Sequence, residues 1–200
     1  MNLLSDILVN LVAIAIALSV HEFGHALSAY LLGDNTAKAY GRLTLNPAKH
    51  VDPIGLITLL IFHIGWAKPV PVNPNNFKNY KWGNVIVSLS GAIGNIITAI
   101  IALIIALIIA KNSHMYAIYT IASTTAAYNI AFAAFNLIPI PPLDGWGVVS
   151  AFIPLKWSEF VYKYESYGQI ILLLAIFTGV YTIIYSPIYT AIVSIVGVFL

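Results

Sequence analysis

The chain has no cysteine among its 200 residues. That excludes a disulfide framework and any thiolate metal site, so a metal ion would have to be held by histidine, aspartate or glutamate. Charge is scarce as well: 8% of residues are Asp, Glu, Lys or Arg, against about 25% in a soluble domain. With 60% hydrophobic residues and a mean hydropathy of +0.90, a water-soluble fold is excluded and a membrane protein is indicated. The net charge of +2 is too small to mark a nucleic-acid partner. The N-terminus lacks a basic segment and a small-residue cleavage site, so the first apolar run is expected to be retained. No internal repeat, low-complexity tract or appended soluble domain is evident.

What is present is a series of long apolar runs. Residues 3–32, 85–110 and 115–138 are each long enough to cross a hydrocarbon core of about 30 Å. Residues 54–66 are apolar but short for a crossing, and are expected to be re-entrant. The polar stretch 33–53 contains YGRLTLN, with the partial alternation of a strand. Residues 67–84 form a Pro- and Asn-rich connector whose KPVPVN segment could be an extended edge. After a polar patch at 154–168, two further apolar segments, 169–185 and 188–200, flank Ser186-Pro187. The expected fold is therefore an all-α polytopic membrane protein. Residues 1–150 would form a three-helix core with a small β or re-entrant insertion after the first helix, and residues 151–200 would add C-terminal membrane helices. Lys38, Arg42, Lys49, Lys68, Lys78 and Lys81 all fall between the first two long spans, which puts that region on the cytoplasmic side. Trp66, Trp82, Trp146 and Trp157 lie at the ends of apolar runs and read as an interfacial belt.

Chemistry concentrates at the end of the first run, where His21-Glu22-Phe23-Gly24-His25 forms HExxH. On a helix, positions four apart share a face, so His21 and His25 can bind one ion together while Glu22 serves as a general base beside it. The plainer alternative is a pair of hydrogen-bonded histidines. A catalytic zinc site takes three protein ligands. Asp34, His50 and Asp52 sit in the polar connector, where solvation explains them. Glu159 and Glu165 read as surface charges, and Asp6 and His114 belong to the far side. His63, in an apolar setting, reads as a packed or interfacial histidine.

Asp144 differs from these. It follows Pro139, Pro141 and Pro142, so a helix break stands beside an acid at the end of the third long run. Irregular backbone at membrane depth is tolerated only inside protein or along a wet cavity. Orientation brings His21 and His25 to the same end. The competing reading of Asp144 is a turn residue, since LDG is good turn chemistry. Asn136 suits either an oxyanion donor or helix–helix glue, whereas Asn95 and Asn129 read as glue.

HEFGHALSAYLLGD, GRLTLNPAKHVDPIG, GWAKPVPVNP and FNLIPIPPLDG occur in that order. Together they resemble the site-2 protease family of intramembrane zinc metalloproteases, in particular its short prokaryotic members. The resemblance covers about residues 15–150. It implies one Zn²⁺ per chain held by His21, His25 and Asp144, with Glu22 activating water. It implies Asn136 near the site, contacting the substrate backbone or the oxyanion. It also implies a prokaryotic cell membrane, an active site toward the cytoplasm, and the transmembrane segment of a membrane-anchored protein as substrate. The Lys68–Asn73 edge could then hold an unwound substrate by strand addition. The chain departs from the family in carrying Gly91-Ala92 where Gly-Pro is frequent, and it has no room for a PDZ or CBS domain. The alternative reading is a catalytically inactive zinc-binding membrane protein or a metal transporter. Against it stand the presence of Glu22 and the clustering of polar residues at one end.

Overall fold

A computed structural model describes residues 3–55, 58, 67–110 and 113–200. Its helices are α1 (Leu3–Leu31), α2 (Thr36–Ala39), α3 (Tyr80–Ile109), α4 (Tyr116–Asn136), α5 (Asp144–Ser150), α6 (Ser158–Thr178) and α7 (Thr182–Gly197). Short 3₁₀ turns at Pro47–Lys49 and Pro74–Asn76 punctuate the connector between α1 and α3. The expected short segment 54–66, with His63 and Trp66, falls almost wholly outside the described residues. Where a β insertion was expected, the described residues contain no strand. They contain one isolated antiparallel bridge, between Val51 and Ala67.

At about 1.5 Å per residue, α1 and α3 are roughly 44 and 45 Å long, ample for a bilayer, and both are apolar enough to cross one. Leu155–Thr178 with Thr182–Gly197, bent by 85°, makes a third candidate if counted as one broken span. The chain is thus a helical membrane protein. The start of α3 lies a few residues before the expected 85. The Asn79 side chain accepts a hydrogen bond from Trp82 N at 3.1 Å and so caps the helix there. The third long run, expected as a crossing over 115–138, forms α4, which is not among the helices apolar enough to cross a bilayer. It carries Thr120, Ser123, Thr124, Thr125 and Asn129, of which Thr125 and Asn129 are buried.

Helices α1, α3 and α4 pack mutually, and their residues sort by size rather than by polarity. In α3, Gly91, Ala92, Asn95, Ala99, Ala102 and Ala106 are buried, whereas Ile93, Ile97, Ile101, Ile104 and Ile108 on the opposite face are exposed. Ala13, Ala17, Ala26 and Ala29 of α1 and Ala122, Ala126, Ala133 and Ala134 of α4 repeat the pattern. Small side chains let backbones approach closely, and large aliphatic ones face lipid, which is how helices associate where water does not drive them together.

After α4 the prolines stop the helix as expected, and Leu137–Leu143 folds back through turns with Ile138 fully buried. Gly145 is required there, because a Cβ would collide with Leu137 O. The C-terminal break lies elsewhere than expected. Pro187 sits within α7, and the chain turns at Gly179, which adopts a left-handed φ of 75°. Gly179 takes the left-handed conformation without strain, so the turn forms there, and Pro187, the sixth residue of α7, is carried inside the helix. Helix α7 packs on α3 and α4 through Ile192 and Val196. Helix α6 buries only Gly168, which abuts Pro141. Glu165 of α6, expected as a surface charge, accepts a hydrogen bond from Trp146 Nε1 at 2.8 Å, and Trp146 is accordingly buried rather than interfacial.

Candidate metal centre

Helix α1 carries His21 and His25 on one face, and the fold-back after α4 delivers Asp144 to them as the first residue of α5. His21 Nε2 and His25 Nε2 lie 3.0 Å apart, and Asp144 Oδ2 stands 3.0 and 3.2 Å from them. A tetrahedral ion with ligand bonds of about 2.0–2.1 Å would separate its ligands by roughly 3.3 Å, so the spacing fits. Asp144 Oδ2 is buried and has no hydrogen-bond partner of regular geometry. Two imidazole nitrogens and a carboxylate oxygen crowded this closely at one point are what a cation would satisfy. His21, His25 and Asp144 are also the one such group of metal-binding side chains among the described residues.

The imidazoles are set by what their other nitrogens do. His21 Nδ1–H donates to Asn95 Oδ1 at 2.8 Å. Asn95 Nδ2 donates in turn to Ala17 O at 2.9 Å and to Asn129 Oδ1 at 2.8 Å, and Asn129 Nδ2 donates to Thr125 O at 2.8 Å. Both amides are fully buried, and this chain of donors leaves Asn95 Oδ1 as the acceptor. His25 Nδ1–H donates to Val87 O at 2.7 Å. With Nδ1 of each ring engaged in this way, Nε2 is the nitrogen turned to a metal, the usual arrangement for metal-ligating histidine. Asn95 and Asn129 are therefore more than glue between helices: they set the tautomer of His21. Gly91 leaves room for the rings, since a Cβ there would lie 2.6 Å from His21 Cε1 and 2.7 Å from His25 Nε2.

Glu22 is buried at 8% exposure, and its Oε2 accepts a hydrogen bond from Val70 N at 2.9 Å. Asn136 lines the same cavity as His21 and Glu22, and one N–H of its amide is spent on Phe132 O at 3.0 Å. That cavity, about 610 Å³, opens between α1, α4 and α6, and its walls are mostly apolar, with Leu18, Phe132 and Leu172 among them.

The connector closes over this end of the molecule, and two of its residues are not solvated as expected. Asp34 is fully buried and accepts from Thr36 Oγ1, Thr36 N (3.0 Å), Asn73 N (2.7 Å) and Asn76 Nδ2 (2.7 Å). Burial alone would raise its pKa, but these donors outweigh burial and hold the carboxyl below the ordinary aspartate value. His50 is fully buried too, its Nε2 on Thr44 O at 2.7 Å. Arg42 reaches inward to Lys68 O. No local signal marks these as interior, because the walls around them come from segments distant in sequence.

A Bacillus subtilis protein, YwhC, provisionally named a zinc metalloprotease, is 36% identical over 173 residues, covering 84% of this chain and 79% of its own length. Rip2 of Mycolicibacterium smegmatis, named in the same provisional way, is 28% identical over 167 residues, or 81% of this chain and 64% of Rip2. Rip2 of Mycobacterium tuberculosis is 28–29% identical over 138 residues. No family model and no solved structure matches the chain.

Proposed function

The chain belongs to the site-2 protease family of zinc metalloproteases, and from this premise we propose that it is an intramembrane endopeptidase. It cuts peptide bonds in or near the transmembrane segments of membrane-anchored proteins. The observation that carries the reading is the convergence of His21, His25 and Asp144 beside Glu22, at an apolar cavity lined in part by the candidate membrane helix α1. Apolar walls of that kind suit the side chains of a transmembrane segment, and the helix that carries His21 and Glu22 is itself long and apolar enough to cross a bilayer.

His21, His25 and Asp144 would hold the zinc. When bound, the ion polarises the scissile carbonyl and makes a water easier to deprotonate. Glu22 takes that proton as the water oxygen bonds to the carbonyl carbon, and returns it to the amine nitrogen as the C–N bond breaks. The N–H of Asn136 not engaged by Phe132 O is available to the developing oxyanion. Lys38, Lys49, Lys68, Lys78 and Lys81 flank this end of the molecule, which supports a cytoplasmic site and water entry from that side.

The test is cleavage of a reporter transmembrane protein by the purified chain in detergent, with the products mapped by mass spectrometry. The expected cut falls within the apolar segment or at its cytoplasmic edge. Chelation should abolish it and added zinc restore it. A cut confined to a soluble tail, or one indifferent to chelation, would contradict the reading.

A further inference from the structure

The Lys68–Asn73 segment was expected to offer a free edge to substrate, but most of its backbone donors are already committed. Lys68 N donates to His50 O at 2.8 Å, Val70 N to Glu22 Oε2 at 2.9 Å and Asn73 N to Asp34 Oδ2 at 2.7 Å. Pro69 and Pro71 have no N–H at all. Between positions 69 and 71, then, one backbone donor exists, and it points at the carboxylate next to the first metal ligand.

The flanking prolines do two things for that donor. Pro71 pushes Val70 into extended or polyproline backbone, and Pro69 stiffens the approach to it. Both ends of the segment are tied down. Lys68 O receives the Arg42 guanidinium, and Asn73 N is fixed to the buried Asp34, itself anchored just past the end of α1. A carboxylate on a freely rotating side chain has many rotamers, and a rigid donor on one oxygen selects among them while leaving the other oxygen for the reaction.

We propose that the Val70 backbone N–H is a positioning group for Glu22, and that Pro69-Val70-Pro71 serves to hold this one donor against the base. The inference rests on the protease reading for its purpose, but not for the contact itself. It also changes what the segment can give a substrate. With Lys68, Val70 and Asn73 N–H engaged, it presents chiefly carbonyl oxygens to an unwound chain rather than the alternating donors and acceptors of a full strand pairing.

Two measurements test it. The first is amide hydrogen exchange at Val70, read by NMR on the intact zinc-loaded protein labelled with ¹⁵N-valine, beside Glu22→Ala. Protection of Val70 that disappears in Glu22→Ala is expected. Exchange at Val70 that is the same in both overturns the contact, whatever the protein cuts. The second compares Val70→Pro, which removes the N–H, with Val70→Ala, which keeps it. For Val70→Pro, kcat should fall on the order of 10- to 100-fold, the cost of one hydrogen bond to a charged group, with KM and zinc content retained. Val70→Ala should stay within about threefold of the unaltered protein, as expected when the donor remains. Full kcat in Val70→Pro, or a loss confined to KM or zinc, overturns the positioning role. If the unaltered protein cuts nothing while Val70 is protected by Glu22, the contact stands, and both the protease reading and the catalytic purpose of the contact fall.

Discussion

Asn95 shows how much of the candidate metal centre depends on side chains outside the group that could hold the ion. Its carbonyl receives His21 Nδ1–H, and its two N–H groups are spent on Ala17 and Asn129, so it cannot rotate without leaving buried donors unpaired. Asn95→Ala is expected to lower zinc affinity about 10- to 100-fold, as measured by competition with a chromogenic chelator. Unchanged affinity would contradict the tautomer argument. Gly91→Ala should be harsher, because its Cβ would lie 2.6 Å from the His21 ring against a buried background, and loss of stoichiometric zinc is the expected result. At this scale the sequence was legible where the signal is local. HExxH puts His21 and His25 on one helical face and the prolines mark the break before Asp144, and these three residues do come together as a group that could hold a metal ion. Asn95 was not legible as a support, since it lies 74 positions from His21 and only the packing of α3 on α1 joins them.

The connector between α1 and α3 acts as one element, and Asp34 is its anchor. Asp34→Ala would leave Asn73 N, Asn76 Nδ2 and Thr36 N without their acceptor, at a cost of about 1–3 kcal/mol for buried groups left unpaired. The connector should loosen, so cleavage should fall sharply while zinc is retained, because His21, His25 and Asp144 stand on α1 and α5. Zinc analysis beside a cleavage assay checks both halves. The carboxyl is held below 3.8, so its contribution is complete above that pH and is lost as acid carries Asp34 through its lower folded-state value. Acid unfolding of Asp34→Asn should therefore be less steep below about pH 4 than that of the unaltered protein. Asp34 and His50 look solvated in sequence because they sit among polar and turn-forming neighbours. Their burial comes from the connector folding back on itself. The C-terminal turn was misjudged for a similar reason: Pro187 is the louder signal, but Gly179 is the residue with the backbone freedom to make an 85° bend.

Across the whole molecule, the apolar cavity and the metal centre are parts of one design. Helices α1 and α5 carry the metal-binding group, α1 and α4 line the cavity, and α6 faces them across it with Gln169, Leu172 and Ile176, held at one end by Gly168 on Pro141 and Glu165 on Trp146. Filling the cavity with Leu172→Trp should raise KM for a transmembrane substrate about tenfold or more, as blocked apolar contact area would, and leave zinc content unchanged. Equal KM in the two proteins would show that substrate approaches by another face. The composition foretold the membrane, and the long apolar runs foretold α1 and α3. The arrangement of α6 was hidden, because a helix lightly packed on its neighbours reads like any other apolar run. The measurement that bears most directly on the central claim is cleavage of a reporter transmembrane protein by the intact chain beside Glu22→Gln, with zinc counted in both. The account predicts full zinc in each, cutting by the intact chain, and a loss on the order of 10²–10⁴-fold in Glu22→Gln. Equal cutting by the two proteins, or zinc-loaded intact protein that cuts no transmembrane substrate, would contradict it.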